Sequence, residues 1–340
     1  MVDAANELPL ESEADLVQRA APMERLVTIY GGSGFVGRHV VRALARRGWR
    51  VRVAVRRPDL AGHLQPLGAV GQIVPVQANL RYPASVLRAA EGAEAVINLV
   101  GVLHESGRQS FEAVHAFGAR QVALAARATG ARLIHGSAIG ARADSNSFYA
   151  RSKAAGEAAV LEVMPGAVVM RPSIVFGPED DFFNRFAAMA RLSPVLPLIG
   201  GGLTRFQPVF VGDVATAFAK AVDGLAHPGT TYELGGPEVL SFKQLMEILL
   251  AEIDRKRLLV PMPAALASLN ARVLELLPSP LLTRDQVRLL AHDNVVSAAA
   301  SADGRTLEGL GIAPTALGAI LPGYLWRYRK AGQFSRPEAA

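Results

Sequence analysis

Three sets of residues in this 340-residue chain have types and spacings that can do chemistry. The first is Gly31-Gly32-Ser33-Gly34-Phe35-Val36-Gly37, a Gly-x-x-Gly-x-x-Gly run directly behind the apolar segment Leu26–Tyr30. Glycine at these positions allows a tight turn, a bare backbone and a close helix–strand contact, which suits a pyrophosphate seated on a helix N-terminus. The second is Val55-Arg56-Arg57-Pro58, where the next apolar run ends. An acid there would take the ribose hydroxyls of NAD, whereas arginine suits the extra 2′-phosphate of NADP. Two arginines ahead of Asp59 favour NADPH over NAD as the cofactor. The third is Tyr149 with Lys153, one helical turn apart, and Ser137 twelve residues earlier. A nearby ammonium favours the phenolate and so lowers a tyrosine's pKa, letting the phenol exchange a proton with a carbonyl or alcohol. Ser137 would hold the same oxygen, and Lys153 can also bond the nicotinamide ribose. The lysine is informative, because only five of the 36 basic residues are lysine.

The elements that must position these groups follow from periodicity. Leu26–Tyr30, Val51–Val55, Ile73–Val76, Ala95–Val100, Arg132–His135 and Ala167–Met170 read as short apolar strands. Between them lie the helical stretches Phe35–Arg47, Pro83–Ala90, Phe111–Thr129 and Ser147–Val163. Strands that are almost wholly apolar and alternate with helices indicate a parallel sheet covered on both faces. The expected fold is a doubly wound α/β Rossmann domain over residues 25–175. A smaller mixed lobe is expected over 176–333, interleaved with it, because prolines and the glycines at 200–202 break the chain into short pieces. Thr231–Leu234 reads as a strand there and Phe242–Ile253 as a helix. In this arrangement Asn79-Leu80 and Val100-Gly101 follow the third and fourth strands and would flank the adenine and ribose. The blander alternatives are a structural glycine turn, solvated arginines, and a surface helix start capped by Ser147.

Composition narrows the rest. Half the residues are apolar and 19% are charged, which is enough for a sizeable core. The absence of cysteine removes disulfides, thiolate metal sites and cysteine nucleophiles. A net charge of +6 with scattered arginines gives no nucleic-acid footprint. No metal site is expected, since Glu179, Asp180 and Asp181 read as solvated loop carboxylates, and no segment has the length of a membrane span. Residues 1–24 are acid-rich and read as a solvated leader, with a frayed tail over 334–340 and a bacterial cytoplasmic location. His104-Glu105 reads as a bystander pair. Arg205 is expected to face the cleft or to pair with Asp213. The apolar stretch Ala264–Leu277, with Leu281-Leu282 and Trp326 to Lys330, is expected to pack over the Rossmann core, with a membrane surface as the alternative.

Together these residues resemble the extended, atypical branch of the short-chain dehydrogenase/reductase superfamily over about Leu26 to Gly236. The segments Val96–Gly101, Leu133–Ser137, Tyr149–Glu157, Arg171–Asp180, Phe182–Phe186 and Gln207–Asp213 are more specifically similar to the NADPH-binding accessory subunit of respiratory complex I and its bacterial relatives. That resemblance implies a nucleotide held for structure rather than for redox turnover, near the membrane and the quinone site. It also places Pro172 and Ser173 beside the nicotinamide amide. His115 and Asn79 stand where extended enzymes more often have asparagine and aspartate, and Ala138–Ala141 lacks the Tyr-Gly of sugar-nucleotide enzymes. Two readings result. One is an NADPH-stabilised assembly protein docking on complex I or the inner-membrane face. The other is an active NADPH oxidoreductase on an apolar carbonyl or quinone-type substrate, with Tyr149, Lys153 and Ser137 as its catalytic residues.

Overall fold

The structure is a computed structural model that describes residues 25–107, 109–275, 282–330 and 332. The expected leader, the tail, and positions 276, 277 and 281 of the apolar C-terminal stretch lie outside the described residues. Seven strands form one sheet in which every pairing is parallel. Six of them are β1 (Leu26–Tyr30), β2 (Arg50–Val55), β3 (Ile73–Gln77), β4 (Ala95–Asn98), β5 (Arg132–Gly136) and β6 (Val168–Pro172). The seventh, Thr231–Leu234, pairs with β6 at the edge, so the main sheet recruits a strand from well beyond residue 175. β1 pairs with β2 on one side and β4 on the other, and the strand order reverses at that point. Ligands of open α/β sheets bind in the crevice that such a reversal opens at the carboxyl ends of the strands.

The sheet holds because both faces are covered. Val27, Ile29, Val53 and Ile97 pack on one side with Val40, Val41 and Leu44 of the helix Phe35–Ala45, together with Phe218 and Val222. On the other side Tyr30, Val96 and Leu133 meet Val86, Val122, Ala126 and Val160. A second lobe has its own core, built from Phe176, Phe183, Phe206, Phe242, Leu249, Tyr324 and Leu325. Burying side chains of this size contributes about 1.5–3 kcal/mol each relative to exposure, so the lobe has a substantial apolar core of its own. Among the described residues no helix is long and apolar enough to cross a membrane.

Two sequence expectations change in ways that bear on the site. The stretch Phe111–Thr129 is not one regular helix. Its first turns, Glu112–Phe117, are a π-helix, and the α-helix proper is Gly118–Thr129. A π-bulge shifts the register of the residues it carries and is frequent at functional sites. Here it carries His115. Strand β4 stops at Asn98 rather than Val100, because the Asn98 Oδ1 accepts from the Val100 N–H at 3.2 Å and turns the chain.

The apolar helix Ala264–Leu274 packs within the second lobe rather than over the Rossmann sheet. Its Ala267 and Ala271 meet Ile199 and Val287, while Leu266 and Leu269 are exposed. Asp180 is not solvated. It is buried, accepts from the Tyr324 hydroxyl at 2.5 Å and from the Gly177 N–H at 3.1 Å, and so ties the C-terminal segment to the lobe. Arg205 pairs with Asp293 at 2.7 Å, and Asp213 accepts from Thr315, so there is no Arg205–Asp213 pair.

Candidate functional site

The glycine run forms the floor of a cleft at the reversal point. Gly31 sits at φ +81°, and a Cβ there would lie 3.0 Å from the Leu99 carbonyl carbon and the Val100 nitrogen. Gly37 is tighter. A Cβ would come within 2.7 Å of the Gly32 carbonyl carbon and Cα, and closer still to the Gly31 oxygen. Gly34 caps the first helix without a side-chain bond, which leaves the first N–H groups of that helix for a ligand. Above this floor is a cavity of about 300 Å³. Its lining includes Gly31, Ser33, Gly34, Arg56, Asn79, Leu80, Val100 and Gly101 from the expected set. Phe35, Val36, Gly37, Arg57, Tyr149, Lys153, Pro172 and Ser173 do not line it, and neither does Ser137. Val36 packs on the core instead, and the Phe35 ring meets His39 edge-on.

The basic end of the cavity differs from expectation in one respect. Arg57 is paired with Asp59 at 2.8 Å, an exposed pair of low energy that nonetheless orients the guanidinium away from the cavity's lining. Arg56 is joined by Arg81, which also lines the cavity. Both are exposed, and neither side chain has a hydrogen bond or ion pair among the described residues. Arg81 was not singled out from the sequence. The available signal was its place two residues after Asn79, whose Oδ1 accepts the Arg81 N–H at 3.1 Å and fixes the turn after β3.

The second half of the site lies behind Gly101. A Cβ on Gly101 would sit 3.5 Å from His115 Nε2 and 3.8 Å from Lys153 Nζ, so the cavity wall abuts the Tyr149–Lys153 helix, Phe148–Val163. Lys153 Nζ donates to the Gly136 carbonyl at 2.9 Å. Ser137 follows directly, anchored by its N–H to the Met170 carbonyl at 2.7 Å, and its Oγ is buried with no hydrogen-bond partner among the described residues. A buried unpaired hydroxyl costs free energy unless a ligand or water satisfies it. Ser173 has no such vacancy: its hydroxyl meets the Asn294 side chain and carbonyl at 2.6 and 2.9 Å.

The π-helical turn positions His115 against this pair. The Val102 N–H donates to His115 Nε2 at 3.0 Å, so that nitrogen accepts and Nδ1 carries the proton. Nδ1 meets Ser152 Oγ at 2.8 Å, and Ser152 donates to the Tyr149 carbonyl at 2.8 Å. Gly156 permits the contact, because any Cβ there would collide with the His115 carbonyl. The rings of His115 and Phe111 stand edge-on to Tyr149 at 5.6 and 6.1 Å.

Electrostatics in this half are set by burial. The Tyr149 phenol is pushed up to about 12 by desolvation, so the lowering expected from a neighbouring ammonium does not prevail. Lys153 is lowered to about 8 by its own burial, partly offset by Glu157. His115 and His135 are each lowered to about 3, by burial first and then by the charge of Lys153. Both imidazoles are therefore neutral in the folded chain through mildly acid pH, whereas in the unfolded chain they protonate near 6.5. The unfolded state binds more protons across that window. The histidine contribution to stability is fully present above about pH 6.5 and falls on acidification towards about pH 3, by about 1.4 kcal/mol per pH unit for each histidine. Urea unfolding at pH 7, 6 and 5 measures this, and His135→Gln should remove about half of the histidine contribution to the slope. An unchanged slope would contradict the assignment.

Among the described residues no group of three His, Asp or Glu side chains is placed to hold a metal. His104 is exposed, and Glu105 accepts from the Phe111 N–H at 2.7 Å at the start of the π-helical turn.

Comparison with known proteins agrees with this fold. A sequence profile of the NAD dependent epimerase/dehydratase family matches residues 27–235. The mitochondrial NADH dehydrogenase (ubiquinone) 1 alpha subcomplex subunit 9 of Arabidopsis thaliana is 37% identical, over 90% of this chain and 79% of that protein. A ceramide reductase of Caulobacter vibrioides is 40% identical over 56% of this chain and 58% of its own length. Among solved structures, an NADPH-dependent quinone oxidoreductase from Escherichia coli in complex with NADPH superposes with a TM-score of 0.68 at 20% identity. That superposition covers 88% of this chain and 98% of the other, and the likeness is one of fold.

Proposed function

Because the chain belongs to the NAD dependent epimerase/dehydratase family, we propose that it holds NADPH as a resident, structural ligand. Within that family it is an atypical short-chain dehydrogenase/reductase related to the complex I subunit. The partner we infer is accordingly complex I, or quinone metabolism at the inner-membrane face of a bacterium, with the protein peripheral on the cytoplasmic side. The observation that carries the nucleotide assignment is the pair Arg56 and Arg81. Two guanidinium groups without protein partners among the described residues border the cavity at the end we assign to the adenosine, where a 2′-phosphate would take charge-assisted bonds from them. The glycine floor fits a pyrophosphate for the steric reasons given above. A ligand bound only by the native state stabilises it, so tight retention alone would give the nucleotide a role.

The structural role is favoured by Tyr149 and Lys153. A phenol held near 12 is a weak acid at neutral pH, and the lysine ammonium is engaged by the Gly136 carbonyl. One observation favours the alternative, an active reductase: the buried, unpaired Ser137 hydroxyl. In that reading NADPH supplies a hydride to an apolar carbonyl or quinone-type acceptor. Ser137 would hold the acceptor oxygen, Tyr149 would protonate it, and Lys153 would hold the phenol and the nicotinamide ribose.

The two readings separate in one experiment. The NADPH-loaded protein is mixed with a panel of quinones and long-chain ketones, and the absorbance of the reduced nicotinamide is followed. The structural reading expects NADPH to persist with every acceptor, in wild type and Tyr149→Phe alike. Oxidation that falls by about a hundredfold or more in Tyr149→Phe, the scale of general acid catalysis, would overturn it in favour of the reductase.

A further inference from the structure

The nucleotide-binding segments leave one question open, namely what holds the start of the Tyr149 helix. Ser147 caps it in the ordinary way, accepting the Ala150 N–H at 3.2 Å. The Phe148 and Tyr149 N–H groups are taken by a carboxylate from a distant part of the chain, Asp285. Its Oδ1 accepts from Phe148 at 2.8 Å, and its Oδ2 accepts from the Tyr149 N–H at 3.0 Å and the Ser147 hydroxyl at 2.7 Å. The negative charge also lies where the helix dipole is positive. The Asp285 side chain is only 14% exposed, so these bonds are little screened by water. Asp285 stands in a short helix, Arg284–Leu289, fixed by a capping box between Thr283 and Gln286.

The same segment makes a second set of contacts nine residues later, at the ends of β5 and β6. Asn294 Nδ2 donates to the Ile139 carbonyl at 3.0 Å, just past β5 and Ser137. Its Oδ1 accepts from the Ser173 hydroxyl and from the Ile174 N–H at 3.0 Å, just past β6. Its backbone is tied to Arg205 and Gln207 at 2.8 and 3.1 Å. One asparagine thus joins three segments at the carboxyl ends of the sheet. Ser297 then closes the segment onto Glu233 at 2.8 Å.

We propose that residues 283–297 form a strap that completes the nicotinamide half of the site from outside the nucleotide-binding fold, with Asp285 as the positioning residue for Tyr149. The inference rests on the NADPH reading above. It separates the site into two halves with different supports. The adenosine half, with Arg56 and Arg81, is lined by residues between 30 and 114, and no residue of the strap is among them. The half containing Tyr149 depends on it.

The test compares full-length wild type, Asp285→Ala and Asp285→Asn for binding of NADPH and of adenosine 2′,5′-bisphosphate, which occupies only the adenosine half. Asp285→Ala should leave the bisphosphate affinity within about twofold and weaken NADPH about tenfold, the size of a lost helix cap. The emission of bound NADPH should shift towards that of the free nucleotide. Asp285→Asn, which keeps one acceptor oxygen and the side-chain shape, should recover part of both effects and serves where the alanine variant folds poorly. Equal NADPH binding in all three proteins would overturn the strap's role while leaving the NADPH reading intact, and so would parallel loss of both ligands. Failure of the wild type to bind either ligand would remove the NADPH reading, and the strap's role with it.

Discussion

Replacing Gly37 by alanine should abolish nucleotide binding, weakening NADPH by more than about a hundredfold. The added methyl must occupy space 2.7 Å from the Gly32 backbone, and the obstructing atoms are main chain rather than the end of a flexible side chain. Relief requires the first helix to withdraw from the turn or the turn to shift, and either motion removes the N–H groups that would face the pyrophosphate. Overpacking of this kind also costs about 1–3 kcal/mol of stability. Gly62→Ala is the control, because a Cβ there meets nothing within 4 Å. Calorimetric titration with NADPH and a thermal melt check both. Wild-type affinity in Gly37→Ala would show that the glycine run is only a turn.

The second large effect concerns the choice between nucleotides. Arg56→Glu should weaken NADPH by about a hundredfold and leave NADH within about twofold, reversing the preference. A charge-assisted bond to a phosphate is worth about 1.5–3 kcal/mol, and a carboxylate in the same place adds repulsion. Arg81→Gln should lower NADPH affinity by about tenfold, since it removes one charge without introducing the opposite one. Arg57→Gln should change neither nucleotide, because that guanidinium is paired with Asp59 and lies outside the cavity lining. Parallel titrations with NADPH and NADH measure all three variants. An Arg57 effect larger than that of Arg56 would contradict the geometry.

The sheet and the glycine floor were legible because they depend on local signals. Apolar β-branched runs such as Leu26–Tyr30 and the spacing of Gly31, Gly34 and Gly37 state their conformational needs in consecutive residues. The helix that carries Tyr149 and Lys153 was legible for the same reason, although Lys153 Nζ bonds the Gly136 carbonyl. What was not legible depends on contacts between distant positions. The register change that swings His115 onto Val102 and Ser152 has no local signature, since Phe111–Thr129 is a good helical sequence throughout. The ion pair of Arg57 with Asp59 and the vacancy beside Arg81 are equally silent in the sequence. So is Asp285, which lies 136 positions from the Tyr149 N–H that it accepts. The pKa of Tyr149 was expected to fall because a charge lies one turn away, but burial, which depends on the whole fold, raises it.

Whether this cleft holds NADPH, as proposed, is decided by competition between nucleotides on the unmodified protein. Any nicotinamide nucleotide that copurifies is released by denaturation and identified. The stripped protein, refolded or freshly exchanged, is then titrated with NADPH and with NADH under the same conditions. The expected result is NADPH as the released species and a preference for NADPH over NADH of at least about tenfold, the worth of one phosphate–guanidinium contact. Recovery of NADH, equal affinity for the two, or no affinity for either would contradict it.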